Sequence, residues 1–266
     1  MSAPTSLVDP HVFAMNNPDM IIERDISDPP LPDNVATGDW ALFLDLDGTL
    51  LDLAPTPDSV IVPKDLIETL AALHTRLDGA LAIVSGRSLS TIDAFLQPLR
   101  LAAAGEHGAV LRYADGSFGG AGASAAVPVL WRAKIRDAAR NWPGALVEEK
   151  PHGIAVHFRA NPKLETEITT ALADLTAADP AFEVLPAAMA RELRHRGAHK
   201  GAALRHLMQT SPFAGRRPLF IGDDVTDEDA ITAAQALNGI GLRVPEHFAG
   251  QPTLVRAWLR HLSGKE

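Results

Sequence analysis

The sequence of 266 residues contains no cysteine, which excludes disulfide bonds and thiolate metal sites. It also has no apolar run approaching the roughly 18 residues that a membrane-spanning helix needs. The first residues lack the basic segment and apolar run of a secretory signal peptide. These absences favour a protein that acts in the cytoplasm without a membrane partner.

Basic residues are also in deficit, since 24 Lys and Arg stand against 33 Asp and Glu, a formal net charge of −9. Such a chain repels nucleic acid at long range, so we expect no nucleic-acid partner. An anionic substrate must then be attracted by a local basic pocket or by a metal ion. Composition does not indicate an oligomeric state, and a monomer is the default expectation.

Buried strands and helices alternate in two parts of the chain. Apolar runs at 40–46 and 80–84 predict buried parallel strands. Leucines at helical spacing between these runs predict a helix. The same pattern returns from about residue 197, with another buried run at 217–222. This alternation predicts an α/β fold in which crossover helices connect a parallel sheet.

The segment 112–194 has a different pattern, a hairpin signal followed by helices and partly alternating strands. We expect an inserted α+β cap domain there, between the two parts of a core domain at 40–111 and 195–266. Residues 1–39 contain several prolines and little periodic apolar pattern. They are interpreted as a flexible N-terminal arm.

Two aspartates, Asp45 and Asp47, follow the first predicted strand. Ligands bind beyond the carboxyl ends of strands in open parallel sheets. Two carboxylates this close resist ionisation unless a cation is present, and Mg²⁺ prefers oxygen ligands. Gly48 lets the backbone turn close to such a site, and Thr49 offers a hydroxyl to a phosphate oxygen. The alternative for the pair alone is a loop with solvated acids.

A second acidic cluster at 222–228 follows the buried run at 217–222. Coordination of a cation is the role expected of Asp223. Glu228 instead suits the first turn of a helix, where the helix dipole favours acids. Thr226 is the N-cap that we expect for this helix.

Two further elements are suited to binding an anion. Ser85 and Gly86 follow the second predicted strand, where a hydroxyl and backbone N–H groups can bind phosphate at a helix start. Lys200 begins a later helix, at the end where the helix dipole disfavours a cation. Neutralisation of a phosphate and of an aspartate nucleophile would explain its position.

Four elements, taken in their order along the chain, resemble the haloacid-dehalogenase superfamily of phosphotransferases. They are Asp45–Thr49, Ser85, Lys200 and the acidic cluster at 222–228. The resemblance implies a Rossmann-like core in which Asp45 is the nucleophile and forms an aspartyl-phosphate. It implies that Asp47 is the acid/base, and that Lys200 also belongs to the catalytic set. Mg²⁺ would be held by the Asp45 side chain, the Asp47 backbone carbonyl and Asp223.

The same resemblance assigns the remaining residues around the phosphate. Those expected to bind the phosphate are Asp45, Gly48, Thr49, Ser85, Gly86 and Lys200. Asp224 and Asp227 are expected to support the metal site, and Asp227 also to orient Lys200.

Segments between Trp40 and Leu259 are similar to the trehalose-6-phosphate phosphatase family. They read WALFLDLDGTL, LAIVSGRS, AAAGEHGA, EEKPHGIAVHFR, ELRHRGAHKGAAL and PLFIGDDVTDEDA. The resemblance implies hydrolysis of trehalose 6-phosphate, the last step of trehalose synthesis, with the cap closing on the sugar. The residues that it implies for substrate binding are Arg87, Glu148, Lys150, His157, Arg159 and Glu192.

Alternatives stay open at this stage for the cap residues and for the substrate. A charged lid surface that faces solvent is the other interpretation of the cap residues. Ala187-Ala188 stands where the family commonly has Gly-Lys, and 239–248 is shorter than the family's usual loop. A sucrose, glucosyl or mannosyl phosphate therefore remains possible as substrate. His107 is interpreted as a structural residue or as a support for the site.

Two alternatives come from other functional classes. A signalling receiver module also combines clustered acids, Mg²⁺ and a lysine in an α/β fold. Asp47 argues against it, since leaving-group protonation and hydrolysis need an acid at this position. The long insert also has no purpose in a small receiver. A sugar-binding protein without activity is disfavoured by the complete set of acids, serine and lysine.

Overall fold

A computed structural model describes residues 35, 38–54, 59–119, 126–187 and 189–264. They all belong to one compact unit, Asp33–Glu266. The arm expected at 1–39 lies almost entirely outside the described residues, as does Ala188 of the Ala187-Ala188 pair. Within the described part of the chain, no helix combines the length and the apolar character needed to cross a membrane.

The larger sheet contains seven strands within the described residues. They are β1 (Trp40–Leu44), β2 (Leu81–Val84), β3 (Ala102–Gly105), β4 (Val110–Arg112), β5 (Phe118–Gly119), β10 (Arg217–Gly222) and β11 (Ile240–Arg243). Their spatial order is β11-β10-β1-β2-β3-β4-β5, and the run from β11 to β3 is parallel. The α/β class and the parallel sheet predicted from the sequence are confirmed.

Helices surround this sheet and bury its apolar strands. They are α1 (Lys64–Arg76), α2 (Leu89–Leu96), α5 (Lys200–Leu207), α6 (Glu228–Ala236), α7 (Val244–His247) and α8 (Pro252–Ser263). The leucines predicted to lie at helical spacing are all buried, three in α1 and the last as its C-cap: Leu66, Leu70, Leu73 and Leu77. The segment 239–248 is not only a loop, because it contains β11 and α7.

The topology brings distant parts of the sequence to one edge of the sheet. Strand β1 lies between β10 and β2, and all three run parallel. Their carboxyl ends therefore meet at the same edge. Asp45 follows β1, Ser85 follows β2, and Asp223 follows β10.

The smaller sheet has the order β6-β7-β9-β8, and each of its pairs is antiparallel. Its strands and helices are β6 (Leu146–Glu149), β7 (Ile154–His157), β8 (Phe182–Ala187), β9 (Ala190–His195), α3 (Val129–Ala139) and α4 (Glu165–Thr176). Ile154, Val156 and Leu193 join residues of α3 and α4 in a hydrophobic cluster of their own. The other face carries Glu148 and Glu192, each paired in register with Ala155. The assignment of 112–194 as a cap domain stays a prediction.

Candidate active site

A buried lysine connects two aspartates at the carboxyl edge of the larger sheet. Lys200 Nζ donates to Asp45 Oδ1 at 2.7 Å and to Asp227 Oδ1 at 2.6 Å. All three side chains are almost completely buried. Lys200 is the first residue of α5, and the preceding His199 accepts the backbone N–H of Ala202 as N-cap. The helix therefore begins where its first side chain reaches both acids.

Asp223 joins the same two aspartates. Among the described residues, Asp45, Asp223 and Asp227 have carboxylate oxygens that all lie within 4.8 Å of one another. Burial raises the pKa of Asp45 well above its usual range. Burial, Asp227 and Asp224 together raise the pKa of Asp223 to about 6. Burial would lower the pKa of Lys200, but Asp45 and Asp227 outweigh it and raise that pKa. One lysine faces three carboxylates, which leaves the cluster short of positive charge.

Two glycines allow the aspartates to approach this closely. Gly48 has φ +78°, and a Cβ there would lie 2.0 Å from Asp223 Oδ2. A Cβ on Gly222 would lie 2.3 Å from Asp227 Cγ. Any larger residue at either position would displace an acid of the cluster.

Asp227 and Asp224 organise the chain after β10. Asp227 Oδ2 accepts the backbone N–H groups of Asp223 at 3.1 Å and of Asp224 at 3.2 Å. Asp224 accepts the N–H of Thr226 and is the N-cap of the short 3-10 turn Val225–Asp227 that precedes α6. The expectation that Thr226 is the N-cap of the helix was wrong. Thr226 lies inside the 3-10 turn, and the carboxylate of Asp224 accepts its backbone N–H and caps the turn.

Asp47 pairs with Arg87. Arg87 Nε donates to Asp47 Oδ2 at 2.8 Å, and Nη2 donates to Oδ1 at 2.7 Å. The guanidinium also lies over the ring of Phe95, with Cζ 5.1 Å from the centroid. Sequence reasoning assigned Arg87 to the substrate and missed this pair.

The residues expected to bind phosphate lie around the same edge. Ser85 is buried, and its Oγ accepts the N–H of Arg87 at 3.2 Å. Thr49 is also buried, and its Oγ1 has no hydrogen-bond partner among the described residues. Gly86 lines the cleft described next.

A cleft of about 560 Å³ lies between the carboxyl edge of the larger sheet and the smaller sheet. Its lining residues are Asp47, Gly86, Arg87, Ser88, Thr91, Phe95, His107, Glu148 and Lys150. The volume lies within the range typical of small-molecule sites, and the polar lining suits a hydrophilic ligand.

The predicted sugar-binding residues occupy different positions on the smaller sheet. His157 Nε2 is 2.9 Å from Glu148 Oε2, and this hydrogen bond lowers the pKa of Glu148. Lys150 Nζ donates to Glu192 Oε1 at 3.0 Å. Arg159 is exposed beyond the end of β7 and takes part in none of the hydrogen bonds or ion pairs found among the described residues.

Two residues of the turn after β3 contact the segment that carries these groups. Glu106 accepts the backbone N–H of His152 at 2.9 Å, and His107 Nε2 lies 3.4 Å from Glu192 Oε2. Glu106 has φ 50° and His107 has φ 57°, values that non-glycine residues rarely adopt. The only sequence signal for this turn was the pair of glycines that enclose it.

The sequence is similar to one family over most of its length. A family model described as trehalose-phosphatase matches residues 43–250. A probable trehalose-phosphate phosphatase of Sinorhizobium fredii is 41% identical over 206 residues, which cover 77% of each chain. A trehalose-6-phosphate phosphatase of Escherichia coli is 36% identical over 205 residues, again 77% of each chain.

Solved structures with similar names share the fold. The C-terminal domain of the Candida albicans trehalose-6-phosphate phosphatase has a TM-score of 0.70 at 20% identity, covering 88% of this chain and 95% of that one. At such identity the likeness concerns the fold alone. A trehalose-6-phosphate phosphatase related protein has a TM-score of 0.63 at 25% identity, covering 84% of this chain and 97% of that one.

Proposed function

The chain belongs to the trehalose-phosphatase family, and we propose that it hydrolyses trehalose 6-phosphate to trehalose and inorganic phosphate. One structural observation supports the proposal. Asp45 is in buried contact with Lys200, and Asp47, two residues further along the chain, lines a cleft together with Lys150. A phosphate group and a sugar can thus be bound side by side.

We propose Mg²⁺ as the cofactor, because the donor set fits it. Asp45 and Asp223 offer hard carboxylate oxygens, which Mg²⁺ prefers, and the cluster lacks positive charge. Together with the Asp47 backbone carbonyl they would hold the ion. Asp227 already accepts from Lys200 and from two backbone N–H groups, so it supports the site. When bound, Mg²⁺ supplies positive charge that stabilises the developing charge on the phosphoryl oxygens.

Asp45 is the proposed nucleophile. Its Oδ1 accepts a hydrogen bond from Lys200, which leaves Oδ2 to attack phosphorus. The bond from phosphorus to the sugar oxygen breaks as the bond to Asp45 forms, giving an aspartyl-phosphate. Lys200 holds Asp45 in place and offsets the negative charge that the incoming phosphate brings.

Asp47 is the proposed acid and base. It gives a proton to the departing sugar oxygen, and it then takes a proton from the water that attacks the aspartyl-phosphate. The second step releases phosphate and restores both aspartates. Arg87 occupies both oxygens of Asp47, so it must release one of them before Asp47 can act. The substrate phosphate is a competing anion for that guanidinium.

The smaller sheet supplies the proposed sugar contacts. Glu148 and Lys150 line the cleft, and each has a neighbour that fixes it: His157 for Glu148 and Glu192 for Lys150. Charged groups of both signs suit a disaccharide, whose hydroxyls both donate and accept hydrogen bonds. Arg159 remains a proposed contact on the family pattern alone. A monomer in the cytoplasm remains the expectation.

Phosphate release by the purified protein tests this function. The substrates are trehalose 6-phosphate, sucrose 6-phosphate, glucose 6-phosphate and p-nitrophenyl phosphate, each with and without Mg²⁺. We expect a strong preference for trehalose 6-phosphate that Asp45→Asn abolishes and that Asp174→Asn, in an exposed acid of α4, retains. Preference for another sugar phosphate would contradict the substrate, and absence of release from every compound would contradict the enzyme.

A further inference from the structure

His107 lies in a turn that is bound to the proposed phosphate-binding segment. Its backbone N–H donates to Ser85 O at 3.0 Å, and the N–H of Glu106 donates to Arg87 O at 2.9 Å. The imidazole lies against Gly86, where a Cβ would come within 2.5 Å of His107 Nε2. The position of the ring is therefore set by the segment Ser85-Gly86-Arg87.

Both turn residues have left-handed backbone conformations, with φ 50° at Glu106 and φ 57° at His107. Adjacent non-glycine residues adopt this region only where their surroundings enforce it, and such strain is concentrated at functional sites. In this turn the conformation places the imidazole against Glu192 of β9.

The imidazole meets Glu192, which is only 8% exposed. Lys150 Nζ is 3.0 Å from Oε1 of Glu192, and His107 Nε2 is 3.4 Å from Oε2, so each oxygen has its own neighbour. Burial alone would raise the pKa of Glu192, but His107 and Lys150 outweigh it and hold the pKa below its usual range. Burial lowers the pKa of His107, which favours a neutral ring. Because Nε2 is the ring nitrogen that faces the Glu192 carboxylate, we place the proton of the neutral ring on Nε2.

We propose that His107 is a positioning residue for sugar recognition, fixing Glu192 and, through it, Lys150 at the wall of the cleft. Lys150 and His107 line the cleft, and Glu192 lies behind them. The core segment that binds the phosphate thereby determines where the sugar-binding charges of the smaller sheet stand. This inference rests on the proposed function and adds a residue to it.

Kinetics of His107→Leu on two substrates test the inference. His107 Nε2 lies 3.4 Å from a buried carboxylate, and removal of a polar partner from such a charged group typically corresponds to about 10-fold in affinity, so we expect KM for trehalose 6-phosphate to rise by about that factor. The kcat/KM for p-nitrophenyl phosphate, which has no sugar, should stay within about 3-fold of the wild type. His107→Gln, whose amide reaches toward the position of Nε2, should restore most of the affinity for the sugar substrate.

Two further variants exclude a general effect on the protein. His74→Leu, in a partly buried histidine of α1 that does not line the cleft, should leave KM unchanged. In a Glu192→Gln background, His107→Leu should have little additional effect, because the two residues act as one unit. If the leucine variant does not fold, His107→Asn, which is too short to reach Glu192, should show the same rise in KM.

Two results would overturn the inference. One is an unchanged KM in His107→Leu or His107→Asn. The other is an equal loss on both substrates that His107→Gln does not restore, which would make His107 a structural residue only. A wild-type protein inactive on trehalose 6-phosphate would instead contradict the proposed function, together with the inference that depends on it.

Discussion

Arg87 occupies both carboxylate oxygens of Asp47, with Nε 2.8 Å from Oδ2 and Nη2 2.7 Å from Oδ1. Two parallel charge-assisted bonds of this kind fix orientation as well as charge. Asp47 lines the cleft together with Arg87. The structure thus gives Asp47 an arginine partner, whereas Asp45 and Asp227 share Lys200.

Arg87→Lys tests whether activity requires the bidentate pairing of Arg87 with Asp47. Lysine keeps the charge but cannot offer two N–H groups in a fixed plane. We expect kcat/KM for trehalose 6-phosphate to fall by about 10- to 100-fold, because lysine cannot hold one oxygen of Asp47 and at the same time offer a second, fixed N–H group to the substrate phosphate. Steady-state kinetics measure the effect, and the melting temperature shows whether the variant stays folded. Wild-type kinetics in Arg87→Lys would mean that charge alone suffices.

Strands with a distinctive apolar composition could be predicted from the sequence. Strands that are extended only because adjacent strands pair with them could not. Strand β1 and strand β10 are nearly continuous apolar runs, so burial on both faces was evident. Strand β3 reads Ala-Ala-Ala-Gly and has no β-branched or aromatic side chain. It is extended because β2 and β4 hydrogen-bond to it on either side. Such pairing is a tertiary effect that composition does not encode.

The candidate site divides in the same way. The nearness of Asp45, Ser85 and Asp223 followed from one rule, since the carboxyl ends of adjacent parallel strands meet at one edge. The pairs Arg87–Asp47 and His107–Glu192 followed from no spacing in the sequence. Each pair forms because two segments far apart in the sequence come close together in the fold and their side chains point toward each other. Neither condition can be read from residue spacing.

Gly48→Ala should disrupt the proposed metal site. Its positive φ strains any residue with a Cβ, and that Cβ would also lie 2.0 Å from Asp223 Oδ2. We expect the Mg²⁺ concentration needed for half-maximal activity to rise by about 10-fold or more, since Asp223 must move.

Gly215→Ala is the matched control for backbone strain. Gly215 has φ +82°, and a Cβ there would meet nothing within 4 Å. Both variants should lose about 1 kcal/mol of stability to the strained backbone. Only Gly48→Ala should alter the Mg²⁺ dependence. An equal dependence in the two variants would show that Asp223 does not hold the ion.

Lys200→Met should destabilise the metal-free protein. The change leaves Asp45 and Asp227 buried without the cation that both contact. Removal of one partner from a buried ionic group costs about 3–5 kcal/mol, and we expect the free energy of unfolding in urea with a chelator to fall by about 3 kcal/mol. The lower figure applies because burial already raises the pKa of Asp45, which then takes up a proton more readily.

Lys64→Met is the control for this measurement, because Lys64 also begins a helix but is exposed. Its stability should change by less than about 0.5 kcal/mol. Adding Asp45→Asn to Lys200→Met should recover part of the loss, since one buried charge is removed. A double variant less stable than Lys200→Met would contradict this electrostatic account.

Stabilisation of the protein by Mg²⁺ should depend on pH through Asp223. Its pKa in the folded, metal-free protein is raised to about 6 by burial and by Asp227, above the ordinary value of about 3.9. Between these values the folded state binds more protons than the unfolded state. The stability that this group contributes is therefore complete below about pH 4 and is lost as pH rises through about 6.

Mg²⁺ replaces that proton, so its effect should be largest where Asp223 is already ionised. We expect the rise in melting temperature on adding Mg²⁺ to be greater at about pH 7.5 than at about pH 5. Asp223→Asn should remove most of the rise at both values, whereas Asp174→Asn, in an exposed acid of α4, should retain it. A rise of equal size at both pH values in the wild type would mean that binding of the ion is not linked to a proton on Asp223, and the carboxylate would then have to be assigned a different role.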